Sequence, residues 1–193
     1  AGEEVPAQRW VDLSGEDGVG ITLANTSKYG FNVEGTSLNM TLLRASIDPD
    51  PLPDLGDHVI RYALVPHGAG WGEGDGAQAG EDLNVPLVVS SVDFHAGDLP
   101  PVASLISVSP QNVRLAALKR AEDGQGMVLR LVEVEGKAGE AQVRVAAGLL
   151  DDAGAAEVDT LEHPVNESCV RLEGEILTVR VPACGITTVK VGG

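Results

Sequence analysis

Residues 176–191, ILTVRVPACGITTVKV, contain two six-residue runs in which apolar and polar side chains alternate. Ile176–Val181 reads I-L-T-V-R-V, Ile186–Val191 reads I-T-T-V-K-V, and a proline and a glycine lie between the two runs. Alternation with period two, β-branched residues and bordering Pro or Gly are typical of β-strands. The stretch therefore predicts two strands, each with one side chain in two facing a core.

The same alternation recurs along most of the chain. Clear runs are Leu38–Leu42, Val59–Val65, Val128–Val134 and Glu140–Val145, and shorter candidates are Val19–Ala24, Leu87–Val89, Leu105–Val108 and Val113–Lys119. Only Gln78–Leu83 suggests a helix, of at most a turn or two. Many short strands at roughly even spacing predict an all-β fold built as an antiparallel β-sandwich.

A proline-rich piece, GDLPPVAS at Gly97–Ser104, indicates a crossover or a domain boundary. We therefore predict two parts, residues 1–104 and residues 105–193. The second part has about 90 residues, the size of one small immunoglobulin-like sandwich. The first part has fewer strands and longer loops, which is typical of a piece of a larger sheet system whose neighbours are missing.

The composition limits the classes of partner. The 193 residues are 43% hydrophobic, enough for a packed core, and 13 basic residues stand against 29 acidic ones, a net charge of −16. An acidic surface repels phosphate backbones and anionic lipid, so we predict no nucleic-acid and no membrane partner. No apolar run approaches the roughly 20 residues that span a bilayer.

The N-terminus, AGEEVPAQRW, has neither an initiator Met nor a signal-peptide pattern, so we expect an excised fragment or a processed product. Sequons at Asn25, Asn39 and Asn166 do not establish secretion, and we predict a cytoplasmic protein. If Glu173–Glu175 forms a hairpin turn, Cys169 lies opposite residues 178–180 and not opposite Cys184. We therefore expect two free, buried thiols.

Motifs that carry chemistry are missing from the sequence. The glycine string at residues 66–80 matches no phosphate-binding loop and predicts a mobile surface loop, and no nucleophile elbow occurs. The histidines lack the spacing of a local zinc pair; they are His58, His67, His95 and His163. An aspartate run predicts a solvated, extended loop, with a calcium site as the alternative; it comprises Asp48, Asp50, Asp54 and Asp57. We predict no catalytic residue and no metal ligand in this chain.

Several motifs in the first half resemble one family. They are P-A-Q-R-W-V-D-L-S from Pro6, N-T-S-K-Y-G-F from Asn25, L-L-R-A from Leu42, and P-D-P…D-x-G-x-H…Y-A-L-x-P-H from Pro49. These motifs resemble the C-terminal region of family 38 glycoside hydrolases, the zinc-dependent retaining α-mannosidases. V-R-L-A-A-L-K-R-A-E-D-G and V-P-A-C-G-I-T-T-V-K-V in the second half are similar too, more weakly.

The resemblance implies that the catalytic apparatus lies upstream of this chain. In the family an α/β domain and a helical bundle supply the zinc ligands and the aspartate nucleophile, and their motifs are missing here. The implied fold is a β-sandwich of the mannosidase C-terminal type, inactive by itself. Its implied partners are the upstream catalytic domain of the same polypeptide and a mannose-containing glycan.

The resemblance also implies a loop at the sugar site. Lys28, Tyr29 and Gly30 occupy the loop that approaches the sugar in relatives, and Arg44 would hold it by pairing with an aspartate. The alternative is a stand-alone carbohydrate-binding or structural β-sandwich module. Carbohydrate-binding modules usually present a flat aromatic platform, for which this chain offers at most Trp71 and Tyr29.

Overall fold

A computed structural model describes residues 3–68, 70–72, 76–98, 100–146, 154–165 and 170–192. The chain forms two compact units, Ala1–Asp93 and Phe94–Gly193. The division lies about ten residues before the predicted boundary at residue 104, which stays a prediction as a domain limit. Asn166, Cys169 and part of the glycine string lie outside the described residues.

The first unit contains two three-stranded antiparallel sheets and one helix. Its elements are β1 (Val5–Pro6), β2 (Trp10–Ser14), β3 (Gly20–Asn25), β4 (Gly30–Glu34), β5 (Ser37–Met40), β6 (Tyr62–His67) and α1 (Gly76–Asn84). One sheet has the order β1–β4–β5 and the other β2–β3–β6. Residues 41–61, which include the aspartate run, lie outside any helix or strand, as expected of an extended loop.

Helix α1 packs on the β2–β3–β6 sheet through glycines. A side chain at Gly76 would place its Cβ 2.9 Å from Trp10 Cε3, and one at Gly80 would place it 2.9 Å from Trp10 Cδ1. Residues four apart lie on one face of a helix, so these two glycines let the indole lie against the helix backbone. The glycine string therefore ends in a nine-residue helix. The prediction of a surface loop was wrong from Gly76 onwards, and the predicted helix was too short.

The second unit is an antiparallel sandwich of two four-stranded sheets. Its strands are β7 (Ile106–Ser109), β8 (Val113–Arg120), β9 (Met127–Glu133), β10 (Gly139–Val145), β11 (Ala155–Val158), β12 (Arg171–Glu173), β13 (Ile176–Val181) and β14 (Ile186–Val191). The sheet orders are β12–β13–β10–β7 and β11–β14–β9–β8. The predicted all-β, antiparallel sandwich is confirmed.

The core of the second unit follows the alternation that the sequence shows. Leu177, Val179 and Val181 of β13 are fully buried, while the residues between them face outwards. Val189 and Val191 of β14 face the same core from the other sheet. Each fully buried Val or Leu contributes about 1.5–3 kcal/mol to folding, so the two inner faces hold the sandwich together.

Buried Glu133 fastens three loops to the end of β9. Its carboxylate accepts hydrogen bonds from Asn112 Nδ2 at 2.9 Å and from the backbone N–H groups of Glu135, Gly136 and Cys184, each at 2.8 Å. Burial acts to raise the pKa of Glu133, but the bonds from Asn112, Cys184 and Glu135 outweigh it and lower the pKa to about 2. A carboxylate that receives so many donors stays charged in a buried position.

Several strand predictions need correction. Leu87–Val89 forms no strand in the structure, and the strand predicted from Val59 begins at Tyr62. Four strands were not predicted, namely β1, β2, β4 and β11, and β12 was implied only by the hairpin considered at Glu173–Glu175. β1 and β12 have only two and three residues, too few to show a period.

The hairpin turn that was the condition for keeping the two cysteines apart is present, because Glu173 pairs with Ile176 and Arg171 pairs with Thr178. Cys184 carries a free thiol, but it is exposed, so the prediction of a buried thiol was wrong at this position. Its φ of 49° places it at the turn between β13 and β14, where its side chain faces away from the core. Among the described residues, no helix is long and apolar enough to cross a membrane.

Candidate functional site

The predicted sugar-site loop is built on Asn25, the last residue of β3. Its Oδ1 accepts hydrogen bonds from the backbone N–H of Ser27 at 3.1 Å and of Lys28 at 2.7 Å, which folds the chain back after the strand. Its backbone N–H donates to Arg9 O at 2.8 Å, and its backbone O accepts from Asn84 Nδ2 at 2.9 Å. Asn25 is 1% exposed, so this residue joins the loop to both β2 and α1 from a buried position.

Lys28 and Tyr29 lie at the tip of this loop. Lys28 is half-buried, and Tyr29 is 55% exposed while its backbone O accepts a hydrogen bond from Ala7 N at 3.0 Å. The backbone at Tyr29 is thus fixed while the ring faces outwards. A fixed backbone with an exposed phenol is suited to contact a ligand that lies over this end of the sheet.

Gly30 begins β4 and is not a turn residue. Its φ is not positive, so its backbone conformation does not require a glycine. A Cβ here would meet the carboxylate of Glu4 and would lie 3.3 Å from Thr41 Cβ. Glu4 Oε1 accepts a hydrogen bond from Thr41 Oγ1, so Gly30 of β4 makes room for a contact between the residues next to β1 and β5, the strands on either side of it.

Arg44 is not brought to the loop by any recorded contact. It is exposed in residues 41–61, and the described part of the chain holds no ion pair for Arg44 or Lys28. The pairing of Arg44 with an aspartate therefore stays a prediction.

Other groups gather at the same end of the β2–β3–β6 sheet. Tyr62 is paired with Asn25 across β3 and β6 and is more than half exposed. Arg9 adopts a φ of 70° just before β2 and forms an ion pair with Glu81 of α1. Such a φ is uncommon for a residue with a side chain, and it turns the carbonyl of Arg9 towards Asn25 N. Two exposed phenols and one cation thus flank a fixed loop.

A second polar cluster lies at the opposite end of the sheet. Asp12 accepts hydrogen bonds from Ser14 Oγ and from Thr22 Oγ1 at 2.6 Å, and His67 Nε2 lies 2.7 Å from its Oδ2. The Asp12 and His67 side chains are almost fully buried. Burial acts to raise the pKa of Asp12, but the bonds from Ser14, Thr22 and His67 together lower it.

This cluster has the residue types of a hydrolytic triad but not its connections. A nucleophilic serine needs a base that accepts its proton, whereas the described bond of Ser14 is to the aspartate. Asp12 therefore ties β2 to β3 and to the end of β6, just before the chain enters the glycine string. We assign the cluster a structural role.

The residues that the structure describes do not form a zinc centre. Within the described ranges, no three His, Cys, Asp or Glu side chains come close enough together to hold a metal ion. A catalytic zinc needs three protein ligands, and the Asp12–His67 pair supplies only two, both already hydrogen-bonded.

Sequence reasoning missed the residues that shape this unit, namely Asn25, Asp12 and His67. An Asn followed two residues later by Ser is a common turn-capping pattern, which pointed to Asn25. The role of Asp12 depends on a pairing with His67, 55 positions away, that no local pattern shows.

Comparison with known proteins gives two family matches. Residues 1–52 match the model of the glycosyl hydrolases family 38 C-terminal domain, and residues 112–189 match the family 38 C-terminal beta sandwich domain. The first match includes the loop after Asn25, and the second includes most of the two-sheet sandwich. The two matches fall in different units of the structure.

Curated relatives are α-mannosidases. Alpha-mannosidase 2C1 of Homo sapiens is 41% identical over 137 residues, which are 69% of this chain and 13% of that protein. Alpha-mannosidase G of Dictyostelium discoideum is 31% identical over 70% of this chain, and an alpha-mannosidase of Saccharomyces cerevisiae is 28% identical over 89%. The chain spans only 12–16% of the length of these relatives.

Solved structures share the fold. An alpha-mannosidase from Enterococcus faecalis V583 covers 98% of this chain with a TM-score of 0.73 at 16% identity, and the match is 21% of that protein. A family 38 glycosyl hydrolase from Enterococcus faecalis gives a TM-score of 0.72 over 98% of this chain and 22% of its own. In both of these proteins the matched fold is one part of a longer chain.

Proposed function

The chain belongs to the C-terminal β-domains of family 38 glycoside hydrolases, and we propose that it is the non-catalytic C-terminal part of a zinc-dependent, retaining α-mannosidase. The observation that carries this proposal is the pair of family matches, one in each unit, on a fold that aligns over 98% of the chain. The relatives in which such domains occur bear the name alpha-mannosidase.

In this proposal the zinc and both catalytic carboxyl groups reside in a preceding catalytic domain of the same polypeptide. Retaining hydrolysis needs two carboxyl groups about 5 Å apart on either side of the glycosidic bond. The buried carboxylates described here, Asp12 and Glu133, are each enclosed by hydrogen bonds within their own unit. The proposal therefore makes this chain inactive alone and gives it a supporting role.

We further propose that the loop after Asn25 lines the glycan site of that catalytic domain. Tyr29 offers a ring face and a hydroxyl to a mannose unit, and Lys28 offers an N–H donor to its oxygens. The fixed backbone of the loop supports this role, because a positioned group loses little freedom when it meets the substrate.

The first experiment compares the full-length protein with the 193-residue chain. We expect the full-length protein to hydrolyse a chromogenic α-mannoside with retention of configuration and to lose that activity on zinc chelation. The isolated chain is expected to have no activity with or without added zinc. Hydrolysis by the isolated chain, or none by a folded, zinc-loaded full-length protein, would contradict the proposal.

The second experiment concerns the loop. In the full-length protein, Lys28→Ala or Tyr29→Phe should raise KM or lower kcat by about 10-fold, the usual cost of one lost substrate hydrogen bond. Lys137→Ala, at an exposed lysine of the second unit, serves as the control. Wild-type kinetics for both loop variants would show that the loop is only a turn.

We also propose a cytoplasmic location. The side chain of Asn25 in the first sequon is buried, and Cys184 is a free thiol, which is common in reducing compartments. Fractionation of cells that express the full-length protein tests this, and recovery with a secreted or vacuolar marker would contradict it.

A further inference from the structure

An apolar segment after α1 is neither paired nor covered by any residue that the structure describes. In Leu87–Val92, read L-V-V-S-S-V, the residues Leu87, Val88 and Val89 are each more than 90% exposed, and Val92 is largely exposed. The structure records no backbone–backbone hydrogen bond between residues 86–98 and any other described residue. Both the side chains and the backbone groups of the segment are therefore unsatisfied by the described chain.

The composition of the segment is that of a strand covered on both faces. In an extended chain Leu87 and Val89 point to one side, and Val88 and Val92 point to the other. A run that is apolar on both sides is typical of a strand inside a covered sheet, whereas a strand with one wet face alternates. Pro86 precedes the run, where a missing N–H does not interrupt the ladder.

The segment is also poorly suited to water. Leu87–Val92 contains no charged residue, in a chain whose net charge is −16. Exposed loops usually carry polar or charged residues, and an uncharged β-prone run left open invites pairing with other chains. An occupant that covers the segment would remove this liability.

We propose that Leu87–Val92 is a β-strand that pairs within a sheet formed by the preceding part of the same polypeptide. This inference rests on the proposed function, in which such a part exists. The occupant is identified by the length of chain outside this structure. The same fold, aligned over 98% of this chain, makes up only 22% of a solved protein, so most of that chain is available to surround the segment.

Pairing within the polypeptide differs from pairing with a second copy in its dependence on protein concentration. A partner strand from the same chain is present at a high effective concentration whatever the protein concentration, whereas a second copy must be recruited. Pairing of this kind gives the first unit a main-chain link to the catalytic part, in addition to side-chain packing.

Hydrogen exchange of the full-length protein tests the inference directly. We expect the backbone amides of Leu87–Val92 to exchange at least about 100-fold more slowly than an unstructured peptide, independently of protein concentration. An unstructured peptide with the sequence of residues 86–93 serves as the reference for fast exchange. Fast exchange of 87–92 in an active full-length protein would overturn the inference, and protection that rises with protein concentration would assign the strand to a second copy and overturn it too.

Two variants probe the two faces of the strand. Val88→Asp and Val89→Asp should each speed exchange of the segment by about 10-fold or more, because either face would then bury an unpaired charge. Val19→Asp, at an exposed valine in the turn between β2 and β3, is the matched control and should leave the segment unchanged. If either aspartate variant retains wild-type protection, that face is not buried and the inference fails as stated.

The two proposals can fail separately. Protection of Leu87–Val92 in a full-length protein without mannosidase activity would contradict the proposed function and would still support the strand pairing. Mannosidase activity of a full-length protein in which Leu87–Val92 is unprotected would support the proposed function and would contradict the strand pairing.

Discussion

The two units of this chain differ in how far they bury their apolar side chains. The second unit closes its own core. The buried apolar side chains of that core, which come from both sheets, are each less than 5% exposed. The first unit, within its described residues, buries only the apolar side chains of Leu23, Ala24 and Phe31. It leaves many large apolar side chains exposed, from Leu42 and Ile47 to Leu87 and Val89.

The difference shows which unit is independent of outside contacts. A closed sandwich gains its stability from its own inner faces, as the second unit does. Exposed apolar surface of the extent seen in the first unit marks an interaction site in soluble proteins. The strand edges of β5 and β6 are also unpaired within the described chain, so the first unit offers both apolar side chains and main-chain groups to a neighbour.

The largest effect that separates the units should come from paired leucine truncations. In the isolated chain, Leu177→Ala should lower the free energy of unfolding of the second unit by about 2–5 kcal/mol, because it leaves a cavity in a closed core. Leu87→Ala should change the free energy of unfolding by less than about 0.5 kcal/mol, since the Leu87 side chain is already exposed to water. Denaturant unfolding measures the effect of both substitutions. Equal losses of unfolding free energy would contradict the difference described between the two units.

Glu133→Gln should have the next largest effect. An amide keeps one acceptor oxygen but turns an NH₂ group towards backbone donors, so we expect a loss of about 1–3 kcal/mol at pH 7. The pKa of Glu133 is about 2 in the folded protein, below its ordinary value of 4.5. Its contribution is therefore complete above pH 4.5 and disappears as the pH falls towards 2.

Denaturant unfolding of the wild type and of Glu133→Gln at several pH values tests the predicted direction of the pH dependence. The difference between the two proteins should be constant above pH 4.5 and should shrink towards pH 2. Glu135→Gln, at a neighbouring acid paired with Lys137, is the control. A difference that grows as the pH falls would contradict the account of Glu133.

A smaller effect is expected at the helix of the first unit. Gly80→Ala should destabilise the packing of α1 by about 1 kcal/mol although alanine favours helices, because its Cβ would lie 2.9 Å from the Trp10 ring. Gly72→Ala meets no atom within 4 Å and should be neutral or slightly stabilising. Trp10 fluorescence during unfolding reports on both variants, and equal behaviour would show that α1 is not held by the indole.

Sequence patterns succeeded where side-chain alternation coincides with burial. The predicted limits of β13 and β14 agree with the structure because each core-facing position in those strands is apolar or Thr. The pattern failed at β2, where Asp12 and Ser14 occupy the face towards α1 and hydrogen-bond there. Their burial depends on Thr22 and His67, which only the folded chain brings near.

The candidate site could be predicted only in part. The loop after Asn25 was predicted as a connection to the strand at Leu38, but β4, which was not predicted, already begins at Gly30. The Leu87–Val89 strand was predicted from a pattern that the described chain does not satisfy. A sequence pattern indicates that a segment can form a strand. Whether it does so also depends on a neighbouring strand that the local pattern does not show.

The central claim is that the second unit closes its own core within the described residues, whereas the first unit is completed by the rest of the polypeptide that we propose. Native-state hydrogen exchange of the isolated 193-residue chain tests it most directly. The account predicts slow exchange for amides of β9, β10, β13 and β14, at the level of global unfolding, and exchange faster by about 100-fold or more for β2, β3 and β6. Equal, global protection of both sets of strands in the isolated chain would contradict it.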